Sequence, residues 1–316
     1  MYAIVTIVAP IFGLIAIGYF AARFQLLSSG AGQGISDFAF TLAIPALLCR
    51  TIATAEFGAL SPTAVWGSFY AGGFVTWAAA TLLTTTLLAR PAADGPSIAM
   101  TATFGNTVML GIPLAIGAFG EPATAVIALI LSIHAPIWWL LGMLHVQATG
   151  GHGSQGLAEV VTSLVRDLGR NPIIIAIAVG VLWRLTGLKL PLAVDKLLQL
   201  MAQAGIPTSL VALGLTLVGF EIKGQGATLA VVIALKLVLM PLVAWLMATQ
   251  VFALDASTAG VIVILASVPA GANSFLFAAR LGRAVNSASG AVALGTLISA
   301  LTSTVVVSAL ASGVRL

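Results

Sequence analysis

Apolar runs of about twenty residues, each long enough to cross a bilayer, repeat along this chain and leave it few folds to choose from. They cover Ala3–Ala22, Ile35–Thr54, Thr63–Ala89, Ser97–Phe119, Ala123–Val146, Pro172–Thr186, Leu192–Phe220, Ala227–Phe252, Ser257–Leu281 and Val285–Ala311. Unpaired backbone N–H and C=O groups cost several kcal/mol each in hydrocarbon, so no run can stand there as a lone strand. The expected fold is all-α, with ten transmembrane helices. Only 7% of the residues are charged, against about 25% in an ordinary soluble domain, and the mean hydropathy is +1.13. The first run has no basic residue before it and is too long for a signal-peptide core, so it reads as a retained helix.

Composition also excludes several functions. The excess of Lys and Arg is only +4 and is scattered, which suits orientation in a bilayer and not nucleic-acid binding. The single cysteine, Cys49, rules out an intrachain disulfide or a cysteine metal cluster and reads as a small packing residue. His134, His145 and His152 have no ligand spacing, so neither a metal nor another cofactor is expected.

One connector is long, and it divides the chain near its middle. Residues 1–146 form a first five-helix unit, 147–171 the connector, and 172–316 a second five-helix unit. Within the connector, Leu157, Val160, Val161, Leu164, Val165 and Leu168 share one helical face. That pattern suits a helix lying in the membrane interface and equally an ordinary amphipathic packing helix.

The two units resemble each other. The second and seventh runs each carry "IP" in mid-segment, at Pro45 and Pro207, and the fourth and ninth carry Pro113 and Pro269. The intervals from Pro45 to Pro113 and from Pro207 to Pro269 are 68 and 62 residues. Five spans per unit would insert the second unit upside down, the inverted-repeat plan of secondary transporters. Arg23, Arg90, Arg166, Arg170, Lys223, Arg280 and Arg283 fall on one side, and Arg50, Arg184, Lys189, Lys196 and Arg315 on the other. The richer side is expected to be cytoplasmic, with both termini outside.

Proline inside a membrane helix frees carbonyls that must find partners or line a protein-enclosed cavity. Spans four and nine are therefore expected to be broken and to cross at mid-membrane. Pro113 and Pro269 would each open an outgoing half-helix, and Gly111 and Gly271 would permit close backbone approach. Two converging helix N-termini, each with roughly half a positive charge, favour an anion. Asn106, Asn273 and Ser274 are the groups to orient a carboxylate there, or else they bond neighbouring helices.

"GNTVMLGIPLAIGAFGE" at 105–121 and "SVPAGANSFLFAARLG" at 267–282 resemble the auxin efflux carrier family, which includes bacterial permeases for malate- or malonate-like acids. The resemblance spans all ten runs. It implies two inverted five-helix repeats, with helices one, two, six and seven as a scaffold that often dimerises. Helices three to five and eight to ten would form a moving transport domain, with substrate near Asn106, Pro113 and Pro269. The long loop of plant members is absent, which favours a bacterial inner-membrane permease.

Two ionisable groups lie deep in spans. A central lysine costs roughly 2.5–3.5 kcal/mol to insert, so Lys236 is expected to attract the anion or to stand where related folds hold a cation. Its alternative is snorkelling, or a hydrogen bond to carbonyls freed by Pro241. His134 is a candidate proton carrier, with the proton as coupling ion, or it simply bonds a carbonyl near Pro136. Arg50, near a helix end, is expected to snorkel outward. The function these residues indicate is secondary transport of small organic anions by a rocking or elevator motion. The alternative is a membrane sensor that binds its ligand without net flux, while an enzyme lacks a catalytic cluster.

Overall fold

The computed structural model describes residues 2–28, 30–54, 60–150, 162, 166, 169–220 and 226–311, with side chains between 7 and 310. The amphipathic stretch 157–168 falls almost wholly outside the described residues, as do Lys223 and Arg315. Helices account for nearly everything described. We number them α1 (Tyr2–Arg23), α2 (Ala31–Thr54), α3 (Pro62–Thr86), α4a (Gly95–Thr103), α4b (Thr107–Phe119), α5 (Ala123–Ala148) and α6 (Pro172–Leu185). They continue as α7 (Leu192–Leu217), α8 (Gly226–Val251), α9a (Ala256–Ser267), α9b (Ala272–Leu281) and α10 (Val285–Ala311). Among the described residues α2, α5, α7, α8 and α10 are each long and apolar enough to cross a bilayer alone. The chain is an all-α polytopic membrane protein.

Helix starts follow the local sequence. Ser61 caps α3 by accepting the Ala64 N–H, and Asn171 caps α6 by accepting from Ile173 and Ile174. In each, proline takes the first helical position, where no N–H is needed. Asp255 caps α9a through Ser257 and Thr258.

Three of the internal prolines are handled in a way that the sequence did not reveal, while Pro10, Pro136 and Pro207 lie inside α-helix without it. A five-residue π-helical turn precedes Pro45 (Ala39–Ala43), Pro113 (Thr107–Gly111) and Pro241 (Leu235–Leu239), each ending two residues before the ring. The extra residue widens the turn, so the ring does not strike the carbonyl one turn back and the helix continues. Pro113 therefore does not open a half-helix. It lies inside α4b, whose first residue is Thr107. Pro269 is not a first residue either; it sits in extended chain, and α9b begins at Ala272.

The most extensive packing falls into two groups, which also touch each other through α1 on α10 and α4b and through α2 on α5. α1 lies against α7, and α2 against α6 and α7. Gly18 and Gly214 permit the first contact, since a Cβ on either would strike backbone of the other helix. α3 packs on α4a and α8, α5 on α4a, and α9a on α8 and α10. The largest buried side chains, Trp138, Phe69, Lys236 and Phe277, all belong to this second group. Arg50 does not snorkel away. Its guanidinium reaches across from α2 to Asp195 on α7 at 2.7 Å.

Candidate functional site

α4 and α9 are each interrupted, and the interruptions meet. α4a ends at Thr103, and Phe104 turns extended with ψ at 94°. α9a ends at Ser267, and Val268 turns extended with ψ at 151°. Gly105 and Ala270 then pair as a single antiparallel bridge. The Asn106 N–H donates to the Pro269 carbonyl at 2.8 Å, and the Gly271 N–H to the Phe104 carbonyl at 2.8 Å. Each gap thus supplies the other's missing partners, which answers the demand that lipid makes on broken backbone. Proline suits its place here, because Pro269 contributes only an acceptor.

Space for a side chain is tight at this crossing. A Cβ on Gly271 would lie 3.1 Å from the Gly105 oxygen and 3.2 Å from its carbonyl carbon. A Cβ on Gly105 would lie 3.1 Å from the Lys236 Nζ. Gly111 faces Leu265 of α9a, where a Cβ would come within 2.8 Å. Gly271 lets the two backbones meet, and Gly105 leaves room for the lysine beside them.

Asn106 is the residue before α4b, and its Oδ1 accepts the Met109 N–H at 3.2 Å. It is 8% exposed, and its Nδ2 has no acceptor among the described residues. The amide therefore caps the half-helix with one end and offers a donor with the other. The N–H groups of Thr107 and Val108, at the same helix start, have no backbone acceptor either. Ser274 is buried at the start of α9b, where its hydroxyl donates to the Gly271 carbonyl at 2.7 Å. Asn273, beside it, has an exposed side chain.

Lys236 completes the arrangement from α8. It is 1% exposed, and its Nζ donates to the Ala266 carbonyl at 2.7 Å and approaches the Met240 sulfur at 3.1 Å. The lysine thus bonds a carbonyl of the last turn of α9a, where a cation is favoured by the helix dipole. It does not bond a carbonyl freed by Pro241. A crevice too narrow for water runs past Lys236, Pro269 and Ala270, bounded by Ala291 and Gly295.

His134, on α5, lies against the other side of the crossing. Its ring stands 4.8 Å from that of Phe104, centroid to centroid, and is enclosed by Phe69, Tyr70 and Trp138. Neither ring nitrogen has a partner, so it makes no bond to a carbonyl near Pro136. The crossing brings together Asn106, Pro269, Gly271, Ser274 and Lys236, with Gly111 one turn along α4b. Pro113 lies further inside that helix. Sequence reasoning missed Phe104, Gly105 and Ala270, which form the bridge, and Ala266, which holds the lysine. The glycine immediately before Asn106 was the available signal.

Among the described residues no three His, Cys, Asp or Glu side chains gather as a metal site would require. What the geometry offers is a buried amide donor, helix-end N–H groups and one cation around a backbone gap. Comparison with known proteins gives that arrangement its setting. Residues 3–307 match the family described as membrane transport protein.

The chain belongs to that family.

Two relatives are similar to the chain. A protein of Rhizobium meliloti (strain 1021) named "Putative malonate transporter" is 28% identical over 304 residues, covering 96% of this chain and 95% of its own. The lysosomal cholesterol signaling protein of Mus musculus is 25% identical over 249 residues, 73% of this chain but 28% of the mouse protein. The membrane transport family and the malonate-named relative agree with the resemblance to auxin efflux carriers and their bacterial permeases. This is a membrane transporter, not an enzyme.

Proposed function

We propose that this membrane transport family member carries small carboxylate anions across a bacterial inner membrane by alternating access, with the anion bound where α4 and α9 cross. The observation that carries this reading is the pairing of the two helix gaps beside the buried Asn106 amide and a buried lysine. A carboxylate there takes hydrogen bonds from the Asn106 Nδ2 and from the first N–H groups of α4b and α9b, Asn273 and Ser274 lying at the latter. Lys236 supplies the countercharge that lipid cannot. Gly111, Pro113, Pro269 and Gly271 shape the backbone around it.

In this account the ten helical segments are two inverted five-helix repeats, 1–146 and 172–316, with both termini outside. α1, α2, α6 and α7 form the scaffold and dimerise; α3–α5 and α8–α10 move. The separation of packing partners into those two sets supports the division. The narrow crevice beside Lys236 fits a carrier that must move to admit its solute. Malonate is the first solute to test, since a relative covering nearly the whole chain carries its name.

Flux in reconstituted vesicles tests the proposal. Labelled malonate or another short dicarboxylate should enter vesicles holding the wild type, and Asn106→Ala should abolish most of that entry. Equal entry with both proteins overturns the site. The signalling name of the mouse relative favours a second reading, a sensor that binds without transport. Saturable binding with no flux in any vesicle would establish it.

A further inference from the structure

Lys236 is a buried cation, and among the described residues nothing of opposite charge meets it. It is 1% exposed, and two of its three N–H groups go to the Ala266 carbonyl and the Met240 sulfur, both uncharged. Neither Asp nor Glu occurs anywhere in α3, α4a, α4b, α5, α8, α9a, α9b or α10. The one buried carboxylate among the described residues, Asp94, precedes α4a and pairs with Arg90 at 2.9 Å and with Arg283 at 3.7 Å. Buried ions are ordinarily paired, because an isolated charge in a low-dielectric interior is very costly. The missing partner of Lys236 is to be sought in the cargo.

The charge of that partner follows from the rest of the crossing. Each helix gap presents a C-terminal end beside an N-terminal one, so the partial charges of α4a and α9a oppose those of α4b and α9b. The helix ends orient an anion but leave the region with the single unit of charge that Lys236 brings. The elements packed on the lysine add none. Tyr70, the one titratable side chain of α3, donates its hydroxyl to the Ile130 carbonyl at 2.7 Å. α4a, α9a and α10 contain no titratable side chain. His134 of α5, within electrostatic reach of the ammonium, is enclosed by Phe69, Tyr70, Phe104 and Trp138, with no counter-ion to support a charge of its own.

The wall beside Lys236 is equally plain. Val232, Ile233, Leu237, Ala270 and Ala291 line the crevice that runs past the lysine, and all are apolar. A short dicarboxylate with one end toward Lys236 and Asn106 has only one cation to share between its two ends. An ionised second carboxylate would lose hydration there and gain no countercharge, whereas a protonated one is merely a neutral polar group.

We propose, on the reading that the crossing binds a carboxylate, that it selects a single negative charge, so that malonate is carried as the monoanion hydrogen malonate. The Lys236 ammonium and one carboxylate then compensate each other, and a neutralised pair moves with the helices through the low-dielectric interior. The second ionisation of malonate is delayed by the charge already on the molecule. Above that step the monoanion falls about tenfold per pH unit. The proton in this account rides on the solute, and no side chain relays it.

Uptake kinetics in reconstituted vesicles, with the same pH inside and outside, test the inference. Two labelled solutes are compared: malonate, and its monoamide malonamate, which has the shape of hydrogen malonate but cannot ionise twice. Between about pH 5 and pH 8 the KM for total malonate should rise about tenfold per unit once the second ionisation is passed, while the KM for malonamate stays level. A malonate KM that stays level overturns the inference, since the dianion is then carried as readily. KM values that rise together for both solutes overturn it too, because the titrating group is then in the protein, and so does malonate uptake without any uptake of malonamate. In Lys236→Met the KM for malonamate should rise about tenfold or more; an unchanged value overturns the role given to the lysine. Should that variant misfold, the wild-type comparison still decides. A wild type that takes up neither solute at any pH overturns instead the reading of the crossing as a carboxylate site.

Discussion

The Asn106 N–H reaches the Pro269 carbonyl at 2.8 Å across a gap between two helices whose sequence positions are 163 residues apart. With its counterpart from Gly271 to Phe104, this bond makes the crossing one rigid unit and not two loose ends. The predicted consequences follow from how little room that unit has.

Gly271→Ala would set a methyl group 3.1 Å from the Gly105 oxygen, a backbone atom held on both sides. The bridge must open by a few tenths of an ångström, at a cost of about 1–3 kcal/mol. Thermal unfolding in detergent should show a lowered midpoint, and malonate flux should fall further than stability does. An unchanged midpoint would mean that the crossing is softer than its contacts indicate.

Lys236→Met separates charge from packing. Replacing a buried ion with an apolar side chain of similar length is often neutral or stabilising, because the cost of burying the charge vanishes. The loss of the bond to the Ala266 carbonyl works against that, at about 1–3 kcal/mol. The midpoint should therefore stay close to wild type, while malonate binding weakens by about tenfold or more. Weakened binding alone marks Lys236 as a countercharge; a collapse of stability alone marks it as a structural bolt.

Asp255 gives a pH-dependent stability term outside the spans. Partial burial pushes its carboxyl up, but hydrogen bonds from Thr258 and Ser257 outweigh this and hold it below the usual carboxylate range. A depressed carboxylate stabilises the fold above its unfolded value, and that contribution is lost as pH falls through the folded value. Asp255→Ala should cost about 1 kcal/mol at neutral pH. Unfolding curves taken below about pH 4 should show the two proteins converging.

Arg50 and Asp195 join α2 to α7 through side chains 21% and 30% exposed. A partly exposed pair of this kind contributes about 0.2–1 kcal/mol. A double-mutant cycle with Arg50→Gln and Asp195→Asn should give a coupling energy in that range, shrinking in high salt. A larger coupling would show the pair to be shielded from solvent by a second copy or by lipid.

The helical, polytopic fold was readable because spanning length and apolar content are local properties of sequence. The caps at Ser61 and Asn171 are local in the same way, each a capping side chain followed directly by proline. The exact position of the first break was not. Pro113 marked the right helix, but its effect is absorbed by the π-helical turn before it, and the chain opens instead at Phe104–Asn106. That choice depends on Pro269 and Gly271 arriving from the other half of the chain. The partner of Lys236, Ala266, and the aromatic enclosure of His134 are likewise contacts between distant segments that no spacing along one helix encodes.

Calorimetric titration of malonate into the purified protein in detergent, wild type against Asn106→Ala, tests the central claim most directly. A hydrogen bond to a charged group contributes about 1.5–3 kcal/mol, so the variant should bind about ten- to a hundredfold more weakly while remaining folded. Equal affinity in the two folded proteins would place the anion somewhere other than the crossing.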